Sequence, residues 1–516
     1  TSQGDVDREA ILKQVLTVET IQNLLYGFSV CLQPVNLLHC LIGVVMGTVV
    51  GILPGLGPVA SISLLLPITF KVSSPTSAII MMAGIYYGAK YGGSTTSILL
   101  NIPGEADSVV TCLDGYQMAR QGRAGPALGI SAFGSFIGGT LGVLGLMLMA
   151  PPLAEFALKF GPPEYASLMF LGLTILSYVA SGSILKAFMM AGLGLILGSA
   201  GMDIVTGDYR FTYGLMALED GVGLVPVAMG FFGVAEVLWN IEYLTARSEV
   251  FETKIKGLLP SRQDWRDSIG PIGRGSIIGF FLGILPGGGP LVASFMSYGV
   301  EKKLSRNPER FGKGEIAGVA APESANNAGA TTCFIPMLAM GVPPTAGMAL
   351  ILGALMIYGL EPGPFLIKKA PDLFWGTVAS MYMGNLLLLV LNLPLIPLWV
   401  RMLKIPYPFL FPMILLFCLI GSYSLNNNFS DVVIMTIFGI LGYLMKKMDY
   451  EGAPMVLALV IGPMFENALR QSLIMSHGSF LIFLKRPISI GFLILAALLL
   501  LSPLIFRRRV VTGFDE

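Results

Sequence analysis

Apolar runs of bilayer length recur along the chain from residue 36 to residue 506, separated by short polar or Pro/Gly-rich breaks. A helix needs about 20 apolar residues to cross a bilayer. The runs are continuous rather than alternating, which predicts helices and excludes a transmembrane β-barrel. The first strong run, Leu37–Leu53, ends in Pro54-Gly55-Leu56-Gly57-Pro58, and a second, Val59–Phe70, follows at once and closes at Lys71. Each is short for a full span, so the pair predicts a helical hairpin that enters and leaves on one face, the alternative being one long kinked helix. Later runs, from 78–100 to 470–506, bring the total to about twelve transmembrane helices.

The phrase around the first break occurs twice. GVVMGTVVGILPGLGP at 43–58 returns 232 positions later as GSIIGFFLGILPGGGP at 275–290, identical at nine of sixteen positions. Gly93-Ser94-Thr95-Thr96 likewise returns as Gly329-Ala330-Thr331-Thr332. Recurrence at such distance predicts a duplicated architecture. The flanks of the two copies differ in charge. The second hairpin, 275–300, has Arg247, Lys254, Lys256, Arg262, Arg266 and Arg274 before it and Lys302, Lys303, Arg306, Arg310 and Lys313 after it. Basic loops favour the cytoplasmic side, so this hairpin should return to the side it left. The first, 43–70, has no Lys or Arg between residues 14 and 70, and should open outward. Two units of opposite orientation form an inverted repeat, an arrangement common in secondary transporters. The expected layout is a polar arm (1–20) without a cleavable signal-peptide pattern, repeat 1 (21–241), a cytoplasmic linker (242–274), repeat 2 (275–506) and a basic tail (507–516).

Composition agrees: 54% of the 516 residues are hydrophobic and 12% charged, about half the charged fraction of soluble domains. The fold class is an all-α polytopic membrane protein. A net charge of +1 gives no sign of nucleic-acid binding. The five cysteines form no CxxC pair, and the two histidines, His39 and His477, are far apart, so neither a disulfide framework nor a resident metal is expected. No Walker A lysine loop, Ser-His-Asp set or HExxH occurs, and enzyme chemistry is disfavoured.

The breaks are the first candidates for chemistry. Broken helices free N–H groups that attract anions and carbonyls that attract cations. Ion-binding is therefore assigned to Pro54, Gly55, Thr96, Pro286, Gly287, Gly289 and Thr332. Substrate-binding is assigned to Gly55, Gly57, Ser94, Thr95, Thr96, Asn101, Gly287, Gly288, Asn326, Asn327, Thr331 and Thr332. Hydroxyls and amides ligate Na⁺ and carboxylates at less cost than buried charge. The clusters 92–97 and 323–332 are read as interrupting their helices. Lys90 and Glu323 are intramembrane charges, open to a binding or a structural role. Asp114, Arg120 and Arg123 are read as part of a cytoplasmic loop, and the ladders Gly43/47/51, Gly134/138/142 and Gly275/279/283 as helix packing.

At YYGAKYGGSTTSILLNIPGE (86–105), DGYQMARQGRAGPAL (114–128), GILPGGGP (283–290), APESANNAGA (321–330) and IPMLAMGVP (335–343) the sequence resembles the TctA family, the large membrane subunits of tripartite tricarboxylate transporters. The resemblance implies a permease of the bacterial inner membrane, with a small TctB-like membrane subunit and a periplasmic TctC-like solute-binding protein. It implies secondary symport of carboxylates such as citrate, usually with Na⁺ as coupling ion and no other cofactor. An elevator-type movement follows by analogy with other hairpin carriers. A proton-coupled symporter and a passive channel are the alternatives. The scarcity of Asp, Glu and His in the motifs favours Na⁺ over a proton relay.

Overall fold

The computed structural model describes residues 18–505 apart from 54, 180–182, 204, 244–256, 286–288, 404 and 406. The tip residues Pro54, Pro286, Gly287 and Gly288, most of the 1–20 arm, the middle of the 242–274 linker and the 507–516 tail lie outside the described residues. The protein is 80% helical. A two-residue antiparallel ladder, Gly201–Met202 with Tyr209–Arg210, is the sheet present among the described residues.

Helix α1 (18–31) leads into α2 (Pro34–Gly51), α3 (Pro58–Thr69) and α4 (Pro75–Leu100). Proline opens α2, α3 and α4, where a missing N–H costs nothing. A 3₁₀ turn (Ala106–Ser108) precedes α5 (Val109–Arg120), and α6 (Ala124–Ala157), α7 (Pro162–Val179) and α8 (Ile184–Gly198) follow. Beyond the small ladder, α9 (Leu224–Ala228) passes through a π-helical segment (Met229–Val234) into α10 (Ala235–Tyr243). The second half opens with α11 (Arg262–Ile284), α12 (Gly289–Leu304), α13 (Ala317–Thr332) and α14 (Phe334–Met340). It continues through α15 (Ala346–Ile357), α16 (Leu366–Lys369), α17 (Pro371–Leu403), α18 (Tyr407–Asn426) and α19 (Phe429–Lys447) to α20 (Ala453–Met475), α21 (Leu481–Lys485) and α22 (Pro487–Ile505).

Six stretches among the described residues are long and apolar enough to cross a membrane: Pro34–Gly51, Ala124–Ala157, Leu224–Glu242, Pro371–Leu403, Pro408–Asn426 and Phe429–Lys447. The chain is thus an all-α, multi-pass membrane protein. Several sequence-based boundaries move. The cluster 92–97 does not interrupt a helix: α4 runs unbroken to Leu100 and stops at Asn101, which takes the left-handed conformation (φ 57°). Residues 323–332 likewise lie wholly inside α13, and the left-handed stop comes at Gly341. Neutral hydroxyls satisfy themselves on carbonyls one turn back and need no break. Residues 113–120 are helical rather than loop, and α11 begins at Arg262, inside the expected linker, on a Ser261/Asp264 capping box.

The glycine ladders set the packing. A Cβ on Gly43, Gly47 or Gly51 would lie 2.2, 2.3 or 2.4 Å from the carbonyls of Met81, Ile85 or Ala89, so α2 touches α4 backbone to backbone. Gly275 and Gly279 seat α11 on the carbonyls of Ala321 and Ala325 at 2.4 and 2.2 Å, and Gly138 seats α6 on Ser324 at 2.2 Å, both on α13. In each half the helix before the break thus packs on the helix that follows the hairpin, α2 on α4 and α11 on α13. The longest helices cross over: α6 packs on α11 and α13, and α17 on α2 and α4.

Candidate functional site

A cavity of about 510 Å³ opens between the two halves, and its lining includes residues from both breaks, Gly55, Gly57 to Ala60 and Pro290-Leu291. Four helices begin on it. They are α3 at Gly57-Pro58, α12 at Gly289-Pro290, α15 at its Thr345 cap and α20 at Gly452-Ala453. Each start leaves backbone N–H groups without intrahelical partners and carries about half a positive charge. Gly55 holds φ +83°, a conformation that disfavours side chains. A Cβ there would come 2.8 Å from Glu236 Oε1, so the first break keeps its approach to α10 through a residue with no side chain.

The charged groups on this cavity come from opposite ends of the sequence. Lys90, 3% exposed on α4, pairs with Glu105 at 2.8 Å and with Asp107, and its ammonium lies 5.6 Å from the Tyr86 ring centroid. Lys446 pairs with Glu236 at 2.6 Å. In these pairs three carboxylates face two ammonium groups, a negative surplus. An organic anion entering that surplus meets repulsion unless a cation enters with it.

Behind the lining, a polar network crosses between the halves. Asn326 Nδ2 donates to Glu105 Oε1 at 3.1 Å, and the adjacent Asn327 donates to Ser135 Oγ at 2.7 Å. Ser135 in turn donates to Glu323, which also receives Ser94 Oγ at 2.6 Å and Thr111 Oγ1 at 2.5 Å. Midway along α5, buried Asp114 Oδ1 accepts the backbone N–H groups of Gly312, Gly314 and Glu315 at 2.8–2.9 Å, while Tyr298 donates to Oδ2. Asp114 is therefore an anchor for the turn before α13.

Of the residues assigned from sequence, Gly55 and Gly57 line the cavity, and Gly289 opens α12 with a Cβ position 2.7 Å from Gly283 Cα. Ser94, Asn326 and Asn327 belong to the network behind it. Thr95 is buried on α4, and Thr96 donates to Gly93 O at 2.9 Å. Thr331 packs on Gly142 with its hydroxyl on Asn327 O of its own helix, while the Thr332 hydroxyl faces Gly283 and is shared between the carbonyls of Ala328 and Gly329 on α13 and, at 3.5 Å, Gly279 on α11. Asn101 is the exposed stop of α4. The assignment omitted Lys90, Glu105, Asp107, Glu236 and Lys446. The signal for them was charge inside or beside apolar runs, which marks functional positions by default. Glu105 and Glu323, both inside the motifs, are buried carboxylates.

Fold and site together define a polytopic helical membrane protein with a polar cavity lined from both halves of the chain. Residues 37–457 match the Tripartite tricarboxylate transporter TctA family, and the chain belongs to that family, a family of transporters and not of enzymes. It is 52% identical over 476 residues to an uncharacterized 52.8 kDa protein in the TAR-I ttuC' 3'region of Agrobacterium vitis, covering 92% of this chain and 94% of that relative. A second uncharacterized protein, in the TAR-II ttuC' 3'region of the same organism, is 52% identical over 234 residues, 45% of this chain and 97% of its own length. No solved structure matches.

Proposed function

We propose that this chain is the permease subunit of a binding-protein-dependent secondary transporter that imports a carboxylate, a tricarboxylate such as citrate or a related acid, by Na⁺ symport across the bacterial inner membrane. The observation that carries the reading is the convergence of four helix starts on one cavity. Such starts bind carboxylates without fixed cationic side chains, and the ammonium groups there are already paired. The surplus of lining carboxylates supports cation coupling, since cation and anion together neutralise what either alone would leave unbalanced. Members of the family work with TctB- and TctC-type partners, and here a TctC-like protein would deliver the acid and a TctB-like subunit would complete the membrane unit. The crossed packing of α6 and α17 agrees with a repeat; its inverted orientation and about twelve spans rest on the charge of the flanking loops and the apolar runs, and an elevator movement of the two breaks on the analogy with other hairpin carriers. Proton coupling is the second reading, favoured by buried Glu105 and Glu323.

The test is uptake of a labelled acid into proteoliposomes holding the permease, the small subunit and the binding protein. Symport requires the binding protein and collapses when the Na⁺ gradient is removed at constant pH. Uptake that needs neither identifies a channel and rejects the proposal.

A further inference from the structure

Glu323 sits mid-way along α13, 0% exposed, and every contact to its carboxylate comes from a neutral hydroxyl. Ser94 on α4 and Ser135 on α6 meet Oε2 at 2.6 and 3.2 Å, and Thr111 on α5 meets Oε1 at 2.5 Å. Of the cations on neighbouring helices, Lys90 is committed to Glu105 and Asp107 and Arg274 on α11 to Glu301 on α12 at 2.6 Å, while Arg120, Arg262, Arg266, Lys302 and Lys303 are exposed near the helix ends, away from buried Glu323. Asp114 on α5 and Tyr298 on α12 hold each other. The remaining titratable groups that feel Glu323 are Tyr91 on α4 and Cys112 on α5, neither of them a cation. A buried carboxylate with no compensating charge relieves its desolvation by taking up a proton.

The donors around it are arranged for both forms. Ser94 Oγ also lies 3.3 Å from the carbonyl of Lys90. When Glu323 is ionised, the Ser94 hydrogen points to Oε2. When Oε2 carries a proton, Ser94 turns its hydrogen to the Lys90 carbonyl and accepts from Glu323. Ser135 is already an acceptor, from Asn327 Nδ2 at 2.7 Å. The carboxyl thus keeps hydroxyl partners in either state, and the neighbouring residues Asn327 and Asn326 bond Ser135 on one side and Glu105, on the cavity wall, on the other.

We propose that Glu323 is a proton-binding site that exchanges with the cavity: a proton from cavity water bonds to Oε2, and the same O–H bond breaks to return it. Its use as a coupling ion rests on the symport proposed above; the exchange of the proton does not. Infrared titration of the full-length protein in lipid reads it directly. The expected result is a carboxylic-acid C=O band that disappears as pH rises, is missing in Glu323→Gln, and persists in Glu105→Gln. Ser94→Ala removes a bond from both forms, but the charge-assisted one it donates to the ionised carboxylate is the stronger, so proton binding should strengthen about tenfold, moving the midpoint up by about one pH unit. The band in the native protein and the Ser94→Ala shift stand even if Glu323→Gln does not fold. A band that persists at every pH, one lost in Glu105→Gln instead, or none at all overturns the proposal. Failure of carboxylate uptake with a titrating band would reject the transport reading and leave the proton site.

Discussion

Lys90 shows how one buried charge organises a neighbourhood. Its ammonium is held by two carboxylates at 4% side-chain exposure, so its removal leaves negative charge buried and unpaired. Breaking such a pair from one side costs about 3–5 kcal/mol. Lys90→Met should lower the thermal unfolding temperature in detergent clearly, and Glu105→Gln on that background should recover part of the loss. If Lys90→Met unfolds with the native protein, the ammonium is not what holds the cavity floor. Gly55 makes the opposite case, a residue defined by what it lacks. Ala at φ +83°, with its Cβ 2.8 Å from Glu236, costs on the order of 1–3 kcal/mol locally. Gly55→Ala should cut uptake several-fold while the protein remains monodisperse.

At the scale of elements, the ladders decide which helices can touch. With a carbonyl 2.3 Å from any Cβ on Gly47 and 2.2 Å from one on Gly279, Gly47→Val or Gly279→Val forces α2 off α4 or α11 off α13. Both variants should lose the folded peak in size-exclusion chromatography. Gly192, in α8 with no heavy atom within 4 Å of a Cβ, serves as the control, and Gly192→Ala should keep the peak. The ladders were readable as packing from four-residue spacing alone, because one helix face repeats at that interval. Which helix each ladder meets was not readable: α6 and α11 use theirs on the same α13, a choice set by how three helices fit together. The same limit explains Thr331 and Thr332. Their pairing with Thr95 and Thr96 marked a duplicated position, yet side-chain direction on a continuous helix turned them toward Gly142 and Gly283 rather than the cavity.

For the whole molecule, the polar crossing at 201–210 is tied to the last third of the chain. Arg470 on α20 bonds Asp203 at 2.9 Å, and Arg210 and Arg470 share Glu466 at 2.7 and 2.9 Å. The N–H of Val205, followed by that of Thr206 and by Arg470, holds the Asp203 carboxyl below its ordinary 3.8. A carboxylate with a depressed native pKa stabilises the fold above its unfolded value and loses that contribution as pH falls through the native value. The native protein should therefore lose more thermal stability than Asp203→Asn between about pH 5 and pH 3. Equal losses would show that the carboxylate is not a staple.

Sequence by itself determined the class, the family and the recurrence. Apolar run length and a duplicated glycine phrase are local properties, and helix geometry converts spacing directly into a face. Tertiary structure alone decided the site. Glu105 meets Asn326 across 221 residues and Glu236 meets Lys446 across 210, and four helix starts converge because the crossed packing of α6 and α17 brings the halves together. Burial then gives these few charges their force, since a carboxylate matters most where water is absent.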